Sequence, residues 1–249
     1  MTDSIRVQTT EHVAVVEIRR PPNNFFDEAL LAELAASLLA LDDDPEVRSV
    51  VLCSAGKHFC AGAQLDSVTA QGIRRIYRHA FGLFSTRCPV VAAVQGAAVG
   101  GGLGLALAAD FRVATPESRF VANFARLGFH QGFGLTVTLP AVVGQQRALE
   151  LLLTGRAVPG TEALEIGLCD RLSPSDPREA AFELAADIAR SAPLSIVSIR
   201  ATMRRALVAQ VATALDTEVQ AQAALLPTAD FREGIEAARA RRSPVFTGA

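Results

Sequence analysis

The sequence lacks the features that would direct a protein to nucleic acid, a membrane or the secretory route. Its formal charge is −2 over 249 residues, so no overall basic field favours nucleic acid or an anionic membrane. No run of about 18 apolar residues is free of charges and helix breakers, which argues against a spanning helix. Residues 1–4 lack a basic segment followed by an apolar one, so we expect no secretory signal. These absences predict a cytoplasmic protein with neither a nucleic-acid nor a membrane partner.

Cysteine is scarce and carries no pairing pattern. The four cysteines form no C-x-x-C pair, so we interpret them as reduced core residues of a cytoplasmic protein. The four histidines and four cysteines also show no metal-ligand spacing, and the sequence therefore predicts no metal site. The cysteines are Cys53, Cys60, Cys88 and Cys169.

Three common glycine motifs are missing as well. The chain has no G-x-x-x-x-G-K-[ST], which argues against a phosphate-binding loop of that type. The spacing G-x-G-x-x-G fails because Leu105 stands where the last glycine should be. No G-x-S-x-G elbow is present, so a serine hydrolase has little support.

What is present is an alternation of helical and buried-strand patterns. Half of the residues are apolar and 20% are charged, which is enough for the core of one α/β domain. Asp27 is placed to cap the first predicted helix. The alternation predicts α/β layering with a helical C-terminal region. We predict strands over 13–18, 49–53, 90–94 and 111–113, and helices over 27–41, about 68–86, after Gly102 and beyond about 192.

Two glycine-bearing loops carry the functional signal. The first spans Lys57–Leu65 and the second Gln95–Gly104, each after a predicted strand. The glycines at 100–102 remove every Cβ, so another group can approach the backbone closely there. A helix that begins at this point leaves its first N–H groups unpaired, and these suit an oxygen that gains negative charge during a reaction. Taken alone, the glycine run could equally serve tight packing of a helix on a strand.

Together the two loops resemble the enoyl-CoA hydratase/isomerase (crotonase) family. The first signature reads F-C-A-G-A at residues 59–63, and the second reads P-V-V-A-A-V-Q-G-A-A-V-G-G-G-L-G at residues 89–104. Further segments follow in the family's order, so the resemblance covers nearly the whole chain. They are Leu127-Gly128, Leu139-Pro140, Gly144, Leu153–Arg156, Ala163–Leu168, Phe231–Gly234 and Arg241–Phe246.

The resemblance implies a fold, an assembly and a ligand. It implies a crotonase-like spiral of ββα units over residues 1–192, followed over residues 193–249 by a helical lobe for trimerisation and CoA capping. It implies a homotrimer or a dimer of trimers, acyl-CoA as the substrate, no separate cofactor and a place in fatty acid metabolism.

The resemblance also carries over site residues by position. The N–H groups of Ala63 and Gly101 would form the oxyanion hole, where two donors stabilise a thioester carbonyl as it becomes enolate-like. Phe124 would line the acyl pocket, unless it is a core residue, and Arg241 and Arg242 would meet CoA phosphates, unless they lie on a solvated helix face. The substrate-binding positions are Asn23, Ala61, Gln64, Leu65, Ala97, Gly100, Phe124, Gly132 and Arg241.

The chain departs from the family where the chemistry is usually done. Gly104 and Phe124 stand at the positions of the two glutamates that hydratases of this family use. Gly132 lies near the position of a further carboxylate of some isomerases and dehalogenases, and Gln64 replaces a usual aspartate. Because a general base must be titratable, we do not expect hydration by the two-glutamate route.

Other groups are candidates to replace them. His130 lies in the loop that borders the family's active site, and imidazole titrates near neutrality, although a turn histidine is the alternative. Asp66 could act on a substrate proton or cap the next helix. The remaining candidates are Lys57 and His58 at the start of the first loop, where Lys57 could equally meet a CoA phosphate or be solvated, and Tyr77 and His79 on the following helix.

Three functions stay open from the sequence. The leading one is an acyl-CoA lyase or isomerase, including a decarboxylase, that stabilises a thioester enolate. The second is a hydrolase in which His130 activates water against a thioester or a β-diketone. The third is an acyl-CoA-binding protein that has lost catalysis.

Overall fold

The structure, a computed structural model, describes residues 4–64 and 68–249 and arranges their strands in two sheets. The strands are β1 (Ile5–Thr10), β2 (Val13–Ile18), β3 (Ser49–Ser54), β4 (Val90–Val94), β5 (Ala97–Val99), β6 (Phe111–Ala114), β7 (Arg119–Val121), β8 (Ala157–Pro159) and β9 (Arg171–Leu172). The helices are α1 (Glu28–Asp42), α2 (Ala70–Phe84), α3 (Gly101–Ala108), α4 (Leu135–Val143), α5 (Gln145–Thr154), α6 (Gly160–Glu165), α7 (Pro177–Ala189), α8 (Pro193–Leu225) and α9 (Ala229–Ala240), with a 3-10 turn at Ala125–Leu127.

The larger sheet has the order β1-β2-β3-β4-β6-β9 and is parallel except for the β1–β2 hairpin. All residues of β3 and β4 are buried, as expected of strands covered on both faces. Helix α7 packs on one face, and the main hydrophobic cluster lies on the other. The predicted α/β layering is therefore confirmed.

The smaller sheet explains the spiral. It has the order β5-β7-β8, with β5 and β7 parallel and β8 antiparallel. Strands β4 and β6 pair in the larger sheet, and the strands that follow each of them, β5 and β7, pair in the smaller one. Successive turns of the chain thus add a strand to each sheet, which confirms the predicted crotonase-like spiral of ββα units.

The predicted elements of the first half are present. The Asp27 carboxylate accepts a hydrogen bond from the Leu30 N–H (2.8 Å), so it caps α1 as expected. Helix α2 is capped by the Thr69 hydroxyl, which accepts from the Gly72 N–H (3.1 Å). Asp66, the alternative cap, lies outside the described residues. Strand β1 was not predicted, and all its residues after Ile5 are exposed. Strands β5, β7, β8 and β9 were not predicted because two or three residues carry no periodicity.

The C-terminal helices share the core of the spiral. The second half of α8 packs on α2 and α4, and its Val211, Leu215 and Val219 belong to the main hydrophobic cluster, as does Phe231 of α9. In the first half of α8, Leu194 and Met203 are exposed. The boundary at residue 192 and the assembly role of this lobe stay predictions. None of the helices among the described residues combines the length and the hydrophobicity that a membrane span requires.

Candidate active site

A cavity of about 80 Å³, open to solvent, lies between the two glycine loops, α2 and α8. Aromatic and aliphatic side chains form most of its wall, which suits the acyl part of a ligand. The apolar side chains on the wall are Phe26, Ala61, Ala63, Val68, Ile73, Ile76, Val99, Phe124, Leu127, Phe129 and Phe133. Gly62, Gly100 and Gly101 complete it, together with three polar side chains, Tyr77, Asn123 and Gln222.

The two loops are held side by side by backbone hydrogen bonds. The Cys60 N–H donates to the Ala97 carbonyl (3.1 Å), and the Val99 N–H donates to the Cys60 carbonyl (3.0 Å). These bonds join the first loop to β5 and place Ala61 and Gly100 on the same cavity wall. The distance between the loops is therefore set by backbone pairing rather than by side chains.

The predicted oxyanion donors lie on this wall. The Phe26 N–H donates to the Gly62 carbonyl (3.0 Å), and the Gln64 N–H donates to the Phe26 carbonyl (2.8 Å). This pairing uses the neighbours of Ala63, so the N–H of Ala63 points away from Phe26. Gly101 is the first residue of α3, and its N–H is one of the donors that a helix start leaves unpaired. Neither N–H donates a hydrogen bond to any described residue.

The close approach predicted at the glycine run is present. A Cβ on Gly101 would lie 2.5 Å from Cζ of Phe26, and one on Gly102 would lie 2.1 Å from the Cys60 carbonyl oxygen. The Phe26 ring therefore covers the start of α3 on the cavity side. The glycine run therefore permits tight packing of the helix start, and its role as an oxyanion donor stays a prediction.

The position of the first missing glutamate is filled by another side chain. A Cβ on Gly104 would lie 2.5 Å from Cβ of Phe133 and 2.9 Å from its Cγ. Phe133 is completely buried, has a φ of +60°, and packs its ring against Phe26 (centroids 5.4 Å apart). A side chain at 104 is therefore excluded by the packing as well as absent from the sequence.

The second missing glutamate is replaced by part of the apolar wall. Phe124 lines the cavity and is 8% exposed, and Leu127 and Phe129 line the same side. The expected apolar lining at this position is therefore present, and Phe124 also belongs to the main hydrophobic cluster.

Two neutral polar side chains, Tyr77 and Gln222, lie next to Gly132, near the position of the further carboxylate of some isomerases and dehalogenases. A Cβ on Gly132 would lie 1.7 Å from the hydroxyl oxygen of Tyr77, so no side chain fits there. The Tyr77 hydroxyl donates to Oε1 of Gln222 (2.9 Å), and Nε2 of Gln222 donates to the His130 carbonyl (2.9 Å). Burial raises the pKa of Tyr77, and the nearby charge of Glu218 adds to that shift. Tyr77 is therefore a neutral hydroxyl at neutral pH.

His130 is not on the cavity wall formed by the described residues. Its Nδ1 lies 2.7 Å from the Gln131 carbonyl oxygen, and its own carbonyl oxygen accepts a hydrogen bond from Nε2 of Gln222. This is the contact expected of a turn histidine. Its predicted catalytic role stays a prediction that no described contact supports.

Glu218 is a buried carboxylate behind the site. It is completely buried and accepts from the Gly134 N–H (2.8 Å), the Thr136 N–H (3.0 Å) and the Thr136 hydroxyl (2.7 Å). Burial raises the pKa of Glu218, and these three donors oppose the shift. The carboxylate sits at the start of α4, where the helix dipole favours it. It therefore fixes the loop that carries His130 and Gly132.

Some of the remaining predicted substrate-binding residues lie on the cavity wall, and others lie away from it. Ala61 and Gly100 line the cavity, whereas Asn23 contributes its carbonyl, which accepts from the Ala61 N–H (2.9 Å). Ala97 is buried in β5, Gln64 is exposed, and Leu65 lies outside the described residues.

Arg241 is exposed at the end of α9, while Arg242 is paired with Glu233 (2.7 Å). The CoA contact predicted for Arg241 stays a prediction.

The remaining acid–base candidates lie elsewhere. Burial lowers the pKa of His58, with Lys57 and Arg119 adding to that effect, and its Nδ1 has no partner among the described residues. In the part of the chain that the structure describes, neither His58 nor His79 lines the cavity. No three histidine, cysteine or acidic side chains converge as metal ligands within those residues.

Sequence reasoning missed Asn123, Glu218 and Gln222. Asn123 lies beside the second glycine loop, with its Oδ1 3.1 Å from where a Cβ on Gly100 would be, and it carried no motif. Glu218 and Gln222 did carry a signal. They fall on the stripe of α8 that also holds Val211 and Leu215, at the helical spacing of buried positions. Polar residues on a buried stripe are the ones that need an explanation.

The comparisons with known proteins agree with this geometry. The sequence profile of the family described as enoyl-CoA hydratase/isomerase matches residues 8–249. The Bacillus subtilis (strain 168) protein YngF, named as an enoyl-CoA hydratase/isomerase, is 34% identical over 100% of both chains. The Arabidopsis thaliana peroxisomal Delta(3,5)-Delta(2,4)-dienoyl-CoA isomerase is 29% identical over 97% of this chain and 95% of its own. The crystal structure of an enoyl-CoA hydratase/isomerase from Pseudoalteromonas atlantica T6c superposes with a TM-score of 0.89 at 29% identity, covering 98% of this chain and 100% of that one.

Proposed function

Because the chain belongs to the enoyl-CoA hydratase/isomerase family, we propose that it is an acyl-CoA lyase that forms a thioester enolate without a carboxylate base. The observation that carries the proposal is the wall of the cavity. It keeps two backbone N–H donors, on Ala63 and Gly101, and has no carboxylate or imidazole among its described residues. Enolate stabilisation is therefore supported, whereas water activation by two glutamates is not.

Decarboxylation of a 2-carboxyacyl-CoA is the reaction class that needs the fewest groups. The bond between Cα and the carboxylate breaks, its electron pair moves to the thioester carbonyl, and carbon dioxide leaves. The resulting oxyanion accepts hydrogen bonds from Ala63 and Gly101, each worth about 3–4 kcal/mol on the scale of measured oxyanion-hole donors. Water then supplies the proton to Cα. Double-bond migration would need a base to move a proton, and the raised pKa of Tyr77 leaves that hydroxyl unable to act as one.

A product screen tests the reaction class. We expect loss of carbon dioxide from a 2-carboxyacyl-CoA such as methylmalonyl-CoA to exceed both hydration of a 2-enoyl-CoA and isomerisation of a 3-enoyl-CoA, followed by mass spectrometry of the CoA esters. Hydration as the fastest reaction would contradict the proposal. If isomerisation is the fastest reaction, the enolate mechanism is retained and the assignment as a lyase is rejected.

A backbone variant tests the oxyanion donor. Ala63→Pro deletes the N–H while leaving the hydrogen bonds of Gly62 and Gln64 to Phe26 intact. We expect kcat/KM to fall by about 10²–10³, the cost of one such donor. Ala63→Val is the matched control, because it adds a similar volume and keeps the N–H. Equal losses in both variants, with both folded, would reject Ala63 as a donor.

A further inference from the structure

Two polar side chains interrupt the apolar wall beyond the oxyanion donors. Tyr77 comes from α2 and Gln222 from α8, and both line the cavity although they are only 8% and 2% exposed. Going from Gly101, the order is the ring of Phe26, the ring of Phe133 and then the ring of Tyr77, whose centroid lies 6.5 Å from that of Phe133. The pair therefore borders the same apolar wall as Gly101 and lies next to the ring of Phe133.

The hydrogen bonds of the pair fix its orientation. The His130 carbonyl can only accept, so the Gln222 atom facing it must be Nε2, which leaves Oε1 to take the Tyr77 proton. The Phe133 N–H approaches the Tyr77 oxygen. One N–H of Gln222 and one lone pair of Tyr77 then remain without a partner among the described residues. A donor and an acceptor side by side are the complement of a hydroxyl group.

The side chains around Tyr77 and Gln222 disfavour an anionic group on the ligand and tolerate a neutral one. Among the described residues no lysine, arginine or histidine lines the cavity beside Tyr77 and Gln222, so an anionic group at that end of the acyl chain, away from the thioester and its Cα, would have no cation to meet. Glu218, one helical turn before Gln222, is a buried carboxylate that accepts three hydrogen bonds at the start of α4. A second anion at this point would be repelled, whereas a neutral hydroxyl would not.

We propose that Tyr77 and Gln222 recognise a hydroxyl group on the acyl chain of the substrate. The inference rests on the proposed function, because only an acyl-CoA held at Ala63 and Gly101 directs its chain toward the pair. The hydroxyl accepts from Gln222 and donates to the Tyr77 oxygen. An acyl group that lacks it leaves both atoms buried and unpaired, and such sites discriminate strongly against the analogue without the polar group.

Calorimetry with a matched ligand series tests the inference. The probes are hexanoyl-CoA, its 4-, 5- and 6-hydroxy derivatives, 5-oxohexanoyl-CoA and adipoyl-CoA, with free CoA as the reference. We expect one hydroxy derivative to bind about tenfold or more tightly than hexanoyl-CoA, the factor expected of a net hydrogen bond at a buried site. We expect adipoyl-CoA to bind no better than hexanoyl-CoA.

Two variants assign the preference to the pair. In Tyr77→Phe and in Gln222→Met, which keep the ring and the side-chain volume, we expect the ratio of the affinity for the hydroxy derivative to the affinity for hexanoyl-CoA to fall to about one. A purely structural role would lower the thermal midpoint and leave the ratio unchanged. Two variants are used because either one could fail to fold alone.

The outcomes separate the two proposals. Equal binding of the hydroxy derivatives and hexanoyl-CoA overturns the recognition and leaves the enolate lyase standing. A preference that survives in both variants also overturns it. If only 5-oxohexanoyl-CoA binds more tightly than hexanoyl-CoA, the recognised group is a carbonyl. That result overturns the role of the Tyr77 oxygen as a hydrogen-bond acceptor for the ligand. Failure of all CoA esters to bind overturns the proposed function.

Discussion

The substitution Gly104→Ala tests whether packing excludes a side chain where the family's hydratases carry a glutamate. The added Cβ would lie 2.5, 2.9 and 3.0 Å from Cβ, Cγ and Cδ1 of Phe133. These atoms are the base of a completely buried side chain, and rings from Phe26 and Phe84 pack around it. Phe133 therefore cannot swing away as the end of a flexible side chain would.

Two opposing effects decide the magnitude. Replacing glycine by alanine inside a helix contributes about 1 kcal/mol to stability through helix propensity. Overpacking a close-packed core costs about 1–3 kcal/mol, and contacts this short belong at the upper end. We therefore expect Gly104→Ala to lower the free energy of unfolding by about 2 kcal/mol. Gly104→Glu should cost more, and it should not create hydratase activity.

Urea unfolding at a fixed protein concentration is the assay. Gly82→Ala in α2 is the matched control, because its Cβ would meet only Ala35 Cβ, at 3.6 Å, and we expect it to stabilise the protein by up to about 1 kcal/mol. In a Phe133→Gly background, which removes the clashing Cβ, Gly104→Ala should become neutral or stabilising. A Gly104→Ala protein as stable as the wild type would refute the steric argument.

Three further predictions concern buried and paired groups. Glu218→Ala leaves three donors unpaired and should cost about 3 kcal/mol in urea unfolding, whereas Glu218→Gln keeps one acceptor and should cost less; equal effects would contradict the capping role of this carboxylate. Arg242 lowers the pKa of Glu233 from 4.5 to about 2, so the stability this pair contributes is complete above about pH 4.5 and is lost as the pH falls toward 2. The difference in thermal midpoint between wild type and Glu233→Gln should shrink over that range, and a constant difference would reject the pair. Burial raises the pKa of the Cys60 thiol to about 12 and of the other three to about 11, so a thiol reagent at pH 8 should label the native protein slowly and all four cysteines rapidly after unfolding.

Much of the fold was predictable because its signals are local. The β-branched run of β2, the Asp27 cap of α1 and the fully apolar β3 and β4 each carry their pattern within a few residues. The short strands of the second sheet do not, since their pairing partners are distant in the chain. The core position of Phe133, a residue with a left-handed backbone, likewise had no local signal.

The candidate site likewise has one part that the sequence predicted and one part that only the tertiary structure decided. The sequence alone showed the two glycine loops, and through the family resemblance it predicted an oxyanion hole there and the absence of the usual glutamates at 104 and 124, because motifs and residue types are properties of the sequence itself. Only the tertiary structure decided what occupies the vacated positions. Phe133 fills the space beside Gly104, and the Tyr77 hydroxyl fills the space beside Gly132. These contacts arise because α2 and α8 pack across the loop that follows residue 130, and no local pattern records which side chains that packing brings together.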